Sequence, residues 1–444
     1  MEPGTDAAPV SETDAPRRPD PADVRADPPA APWRLLGWWV ATLAVALVHN
    51  GLWATPNLAF MSLVADRPGV NPFRGAINAD YLLTNLSLPT LARLLGQTDP
   101  HAYARLHLVL LVVGWALVTV LAARRFGYRA ARNLTVLMAL SPAVTVSLQW
   151  LGQPDPLTFT LGLLLVVVRP RRAVLAVAVV AGLTHPEQAV FMALVAAAVR
   201  AVLADPPGTT EPPDPGRPAT GPRRARPARV HRPAPWGDLA RATATDALFA
   251  VGGVVIGRAV TEVYFRINDI VLLRPRSDYL GFGVDRFVEH HTQQPAGLLY
   301  TLWGPLWLVI AAVVGLRVVR RGRDPRSARA WAVLAALAVA GLVPVLVTLD
   351  ETRVYAMVTA PLLVGAAVLL TRERPPLPAR LAPAAAAVLL VVGAVVPGGF
   401  ATGVTSWRGQ LPQAEMREFL RTGDHPGDLT TWLLGPFDFV IPQL

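Results

Sequence analysis

The sequence predicts an all-α fold, a polytopic transmembrane bundle of about eleven helices, and three observations predict it. Of 444 residues, 52% are hydrophobic and 16% charged, with a mean hydropathy of +0.39. The apolar residues come in runs of about 17 to 22, the length that crosses a hydrocarbon core of roughly 30 Å. Arginine-rich and acid-rich connections alternate between those runs, as expected when cationic loops stay on the cytoplasmic side.

The net charge of +10 and isoelectric point near 10.9 do not point to nucleic acid. The basic residues lie between apolar runs rather than on polar, aromatic-interleaved faces, so membrane topology accounts for them. Every basic residue is Arg, and Ala, Val, Leu and Pro are heavily used, the imprint of GC-rich coding. There is no Cys, which excludes disulfides, thiolate catalysis and Cys-ligated metals.

Residues 1–32, rich in Pro, Ala, Asp and Arg, bury too little apolar surface to offset ordering entropy and read as a disordered cytoplasmic tail. The first run, Trp33 to about Trp53, is too long for a signal-peptide core and has no clear cleavage pattern, so it reads as an anchor. Further runs fall near 104–123, 134–150, 156–168, 173–184, 188–204, 241–262, 297–316, 330–349, 354–371 and 381–397. The runs at 156–168 and 173–184 are short, as in broken, tilted or flank-extended helices. An N-terminal membrane half (33–204) carries a long external loop at 55–103. A flexible cytoplasmic stretch at 205–238, rich in Pro and Arg, separates it from a C-terminal half (239–397), which carries an external loop at 263–296. Residues 398–444 form an external tail with Trp407, Trp432, Phe437 and Phe439. No internal repeat relates the halves.

The alternation sets the sides. Arg124, Arg125, Arg129 and Arg132 mark one inner connection, and Arg169, Arg171 and Arg172 the next. Arg223 to Arg229, Arg317 to Arg329 and Arg372 to Arg380 complete the inner set, whereas Asp66, Asp80, Asp99, Asp155, Glu187, Asp269, Asp350 and Glu351 fall on the outer one. The reading is a multi-pass plasma-membrane protein with its N-terminus in the cytoplasm.

Three outer places carry candidate chemistry. In the first loop, Ala79-Asp80-Tyr81-Leu82-Leu83-Thr84-Asn85-Leu86-Ser87-Leu88 has the pattern of an amphipathic helix lying at the membrane surface. Asp80 at its start reads either as a cap, favoured by the helix dipole, or as a general base. The second place is Gln149-Trp150-Leu151-Gly152-Gln153-Pro154-Asp155-Pro156, a sharp turn in which Asp155 is either a helix cap or a binding carboxylate. On the same face, His185-Pro186-Glu187-Gln188 brings His185 and Glu187 towards Asp155. Such a set has the donor types for a divalent cation, but no spacing here is diagnostic of a metal site. The third is Asp350-Glu351-Thr352-Arg353-Val354-Tyr355, where an outer Arg runs against the positive-inside tendency. Arg353 reads as the partner of Asp350 or Glu351, or as a fork for phosphate oxygens. The mixed charges of 263–296 suggest a folded cap, in which His290 and His291 read as a surface pair before a ligand pair.

The layout resembles the GT-C superfamily of membrane glycosyltransferases, which use polyprenyl-phosphate-linked sugars. A cytoplasmic N-terminus, a long first external loop with an interfacial helix and Asp80, short hairpins and later external charges carry the resemblance over about residues 33–371. Such enzymes often pair acids in that loop; here Asp80 is followed by Tyr81, and the nearest preceding acid is Asp66. The resemblance implies inverting transfer of a sugar, mannose among the candidates, to a glycan, lipid or protein acceptor of the cell envelope on the extracytoplasmic face. Asp80 would activate the acceptor and Arg353 neutralise the lipid phosphate. Asp155, His185 and Glu187, with Gln153, Tyr81 and Asp350 beside them, would shape the sugar or metal pocket. No cofactor is certain, and a divalent cation stays open. A transporter or lipid flippase would need charges near mid-membrane on broken helices, and the deep apolar runs carry few. A non-catalytic envelope-assembly protein is the third class.

Overall fold

A computed structural model of the chain describes residues 32–50, 57–72, 80–149, 152–204, 236–272, 295–319, 325–348, 351–372, 382–396, 401–402 and 406–407. Nearly all of the described residues are helical. Helix α1 (Pro32–Asn50) is followed by α2 (Asn57–Asp66), a 3-10 turn (Asp80–Thr84) and α3 (Ser87–Leu94). Then come α4 (Pro100–Phe126), α5 (Tyr128–Ala139), α6 (Pro142–Gln149), α7 (Asp155–Val167), α8 (Arg171–Thr184), α9 (Pro186–Leu203) and α10 (Trp236–Ile267). The rest are α11 (Pro295–Trp303), α12 (Leu306–Val319), α13 (Pro325–Ala340), a second 3-10 turn (Pro344–Val347), α14 (Glu351–Arg372) and α15 (Ala382–Val395). Two short antiparallel strands, Ala401–Thr402 and Ser406–Trp407, pair with Ala401 opposite Trp407.

Among the described residues, five helical stretches are long and apolar enough to cross a membrane: Pro100–Phe126, Pro186–Leu203, Trp236–Ile267, Ser327–Leu346 and Glu351–Arg372. A sixth arises if α5 and α6, bent by 59° at their junction, act as one span. Apart from the short strand pair, the described residues are thus those of a helical, membrane-embedded protein. Three further stretches, Asp155–Val167, Leu306–Gly315 and Ala382–Val395, are apolar but shorter. At 1.5 Å per residue, a 13-residue helix such as α7 reaches only about 20 Å. It tolerates this length because twelve of its residues are buried among other helices, so its ends need not meet lipid.

The two ends of the bundle differ in charge. At one end Arg125 donates to the Val166 and Val168 carbonyls, Arg171 pairs with Asp246 at 3.4 Å, and Arg372 donates to the Leu203 carbonyl at 3.1 Å. At the other end lie the starts of α4, α7, α9 and α14 and the first-loop segments. There Gly69 N–H donates to the Tyr264 hydroxyl at 2.6 Å and Asn71 to the Val271 carbonyl at 3.2 Å, so the first loop folds onto the end of α10. Among the described residues, the connections marked by Arg125, Arg171 and Arg372 thus lie at the end opposite the starts of α4, α7, α9 and α14.

The predicted surface helix over 79–88 is two pieces. The 3-10 turn ends at Thr84, and Leu86 N–H leaves the helical pattern to donate to the Leu183 carbonyl at 2.8 Å. Helix α3 then restarts at Ser87, with Pro89 in its first turn, where a missing N–H costs nothing. The side chains of Asp80 and Tyr81, together with Asp350, His290, His291, most of the 205–238 and 263–296 stretches, residues 1–31 and nearly all of the tail, lie outside the described residues.

Helices α8 and α10 meet at their glycines. A Cβ on Gly253 would sit 2.6 Å from the Leu175 carbonyl oxygen, one on Gly257 would strike the Val179 carbonyl, and one on Gly182 the Val254 carbonyl. Gly253 and Gly257 form a small-xxx-small stripe that lets two backbones approach without hydrophobic driving force from the lipid. Gly257→Leu is therefore expected to lower the thermal unfolding midpoint in detergent, with an overpacking cost of about 1–3 kcal/mol or more. Gly252→Leu, whose new Cβ meets open space, serves as the control, and equal midpoints for the two variants would contradict the close approach.

Candidate functional site

Helix α7 is held at both ends, and its N-terminal end defines the candidate site. Asp155 is the first residue of α7, at the positive end of the helix dipole. Its Oδ1 accepts from Arg353 Nε at 2.8 Å, a contact spanning 198 residues of chain. The Arg353 Nη2 group donates to Gln153 Oε1 at 3.3 Å. The side chains of Arg353 and Asp155 are 3% and 0% exposed, so the pair is desolvated. Arg353 sits in the first turn of α14, a helix with 17 of 22 residues buried, and this burial leaves the guanidinium little freedom to turn away. Arg353 thus pairs with Asp155, joined from the second of the predicted places. Glu351, also buried, stands two residues earlier.

A second arm of the site comes from α4. His107, fully buried in the first third of that long helix, receives the Gly152 N–H on Nδ1 at 2.7 Å. An acceptor Nδ1 means the imidazole is neutral with its proton on Nε2. Tyr103, one turn earlier, meets the His107 ring edge-on at a centroid distance of 4.7 Å. Sequence reasoning passed over His107 because it stands alone in an apolar run. The usable signal was there: an ionisable side chain within a membrane segment is a functional candidate by default.

The third arm is the junction of α8 and α9. Thr184 Oγ1 donates to the Val180 carbonyl at 2.7 Å, which leaves Ser87 to donate to Thr184 Oγ1 at 2.6 Å. This bond and the Leu86–Leu183 bond tie the segment that begins at Asp80 to the turn that carries His185. His185 is buried, and its Nδ1 lies 3.6 Å from Glu187 Oε2, on a side chain that is 43% exposed. Gln188, in the first turn of α9, and Asn85, just after the 3-10 turn, are buried as well.

Of the sequence-predicted residues, Asp155, Gln153 and Arg353 are in contact, and His185 and Glu187 are close to each other. Among the described residues no three His, Asp or Glu side chains gather as a cation site. Chemically, the arrangement supplies a compensated ion pair, a neutral imidazole and several amides, a setting for polar, uncharged groups. Comparison of the chain with protein-family models, with curated proteins and with solved structures finds no match.

Proposed function

We propose that the chain is a membrane glycosyltransferase of GT-C-like layout, with about eleven spans. In this reading it moves a sugar from a polyprenyl-phosphate donor to a cell-envelope acceptor on the extracytoplasmic side of the plasma membrane. The observation that carries the reading is the pair of bonds from Leu86 to Leu183 and from Ser87 to Thr184. They hold the Asp80 segment of the long first loop against the end of the bundle where Asp155, Arg353, Gln153 and His185 are buried. The gathering of the Arg125, Arg171 and Arg372 connections at one end supports a cytoplasmic N-terminus.

The Asp80 carboxylate takes the proton of an acceptor hydroxyl, that oxygen attacks the anomeric carbon from the face opposite the phosphate, and the bond from carbon to phosphate oxygen breaks. The leaving polyprenyl phosphate carries the released electron pair. Asp155 and Gln153 fix the Arg353 charge at this end, where it faces the phosphate in the proposed transfer.

Purified protein in lipid, given labelled polyprenyl-phosphate sugars, is expected to transfer the label, and Asp80→Asn to lose on the order of 10²–10⁴-fold in rate. Undiminished transfer by Asp80→Asn removes the base assignment, and undiminished transfer by Arg353→Ala removes the phosphate role. One observation favours a second reading, a transporter or lipid flippase: the 59° break between α5 and α6, since discontinuous helices line substrate paths in transporters. No transfer with any donor, together with uptake or lipid flipping in vesicles, would establish that reading instead.

A further inference from the structure

We infer that the acid-bearing end of the bundle contains a recognition site for an uncharged sugar ring, lined by Asn85, Tyr103, His107, Gln153 and Gln188. The inference rests on the glycosyltransferase reading and deepens it. These five residues are each at most 5% exposed. Six of their polar atoms have no hydrogen-bond partner among the described residues: both amide atoms of Asn85, the Tyr103 hydroxyl, His107 Nε2, Gln153 Nε2 and Gln188 Oε1. An orphaned buried polar group destabilises the fold that holds it, and native proteins carry few of them. Here they collect at one end. Gln153 follows Gly152, whose N–H binds His107; Tyr103 meets the His107 ring edge-on; and Tyr103 shares an apolar cluster with Leu82 and Leu83, just before Asn85. Gln188 follows the Thr184 turn to which Ser87, two residues after Asn85, is bonded. By contrast, the unpartnered indole nitrogens of Trp39 and Trp115 sit in the middle of α1 and α4.

The chemistry of the set selects the ligand class. His107 Nε2–H and Gln153 Nε2 are donors, Gln188 Oε1 is an acceptor, and Asn85 and Tyr103 supply both. An anion would call for donors alone, and a cation for acceptors alone. A ring of hydroxyls, each donor and acceptor at once, satisfies a mixed and neutral set, and the Tyr103 ring adds an apolar face.

The test compares two soluble probes on the full chain in detergent or nanodiscs. These are farnesyl phosphate and farnesyl phosphate carrying a single sugar, drawn from a panel of mannose, glucose, galactose and arabinose. For at least one sugar, the glycosylated probe is expected to bind about tenfold more tightly than bare farnesyl phosphate, the scale of one or two net hydrogen bonds. Asn85→Leu and Gln188→Met are expected to bring the two probes to within about twofold of each other. Because each variant removes an orphaned group in favour of an apolar one of similar size, the ligand-free protein should unfold at the same temperature or higher. Loss of sugar preference with unchanged or raised stability supports the site. Lower stability of the ligand-free variants means that the amides have structural partners and overturns it. Equal binding of the bare probe and every glycosylated probe by the native chain also overturns the sugar site, while leaving a prenyl-phosphate donor standing. Failure of every probe to bind overturns the donor reading itself.

Discussion

Replacing Arg353 by Met is expected to destabilise the protein by about 3–5 kcal/mol, because it takes the guanidinium of a buried ion pair away from the Asp155 carboxylate. The carboxylate is 0% exposed and its Oδ1 accepts from Arg353 Nε at 2.8 Å. Gln153, whose Oε1 receives the second guanidinium bond at 3.3 Å, loses a partner in the same substitution. The thermal unfolding midpoint in detergent, followed with the monodisperse fraction on size exclusion, reads the effect. The double variant Asp155→Leu, Arg353→Met should recover most of the loss, since an apolar pair of similar volume often matches a buried ion pair in stability. Arg353→Lys should recover little, because a single ammonium cannot reproduce the fork that spans Asp155 and Gln153. A single Arg353→Met variant as stable as the native chain would mean that Asp155 does not depend on this partner. Activity separates two roles for the pair: a double variant that folds but transfers no sugar assigns it to the reaction, and one that folds and transfers at native rates assigns it to the scaffold alone.

The opposite end of α7 should respond almost as strongly. Arg200, 7% exposed, donates to the carbonyls of Leu165, Val166, Val168 and Arg169, and its Nε meets Asp246 Oδ2 at 3.0 Å. One side chain of α9 thus satisfies the last carbonyls of α7, which have no partner within their own helix, and joins α7 to α10. Arg125 assists from α4. Arg200→Leu is expected to cost about 3 kcal/mol, from the lost charge-assisted bonds and the weakened hold on Asp246. Asp246 keeps Arg171 as a second partner at 3.4 Å, which holds the loss below that of stranding a carboxylate outright. Limited proteolysis of the protein in detergent should cut the turn after α7 faster in this variant, alongside a lower midpoint. Unchanged cleavage and an unchanged midpoint would show that Arg125 alone caps the helix.

Much of the candidate site was legible as residues and little of it as contacts. The turn around Asp155, the His185 junction and the charged start of α14 could each be picked out as polar breaks between apolar runs. Nothing in their spacing indicated that Arg353 would pair with Asp155, 198 residues away. A sequence shows what is close along the chain, and Asp350 and Glu351 were the near acids. His107 was hidden for the opposite reason: a single imidazole barely lowers the hydropathy of a 27-residue helix. The surface helix expected over 79–88 divided because Leu86 bonds to Leu183, a tertiary demand that no amphipathic pattern encodes.

By itself the sequence determined that the chain is helical and membrane-embedded, and which connections share a side. Hydropathy and arginine placement respond to the bilayer, a solvent that acts on each segment separately, so those properties can be read segment by segment. Only the tertiary structure decided which helices stand next to one another, that the short α7 lies buried and is held at both ends by arginines, and which polar side chains share one buried end. Those outcomes depend on close approach at Gly182, Gly253 and Gly257 and on charges that find partners only once distant helices have packed.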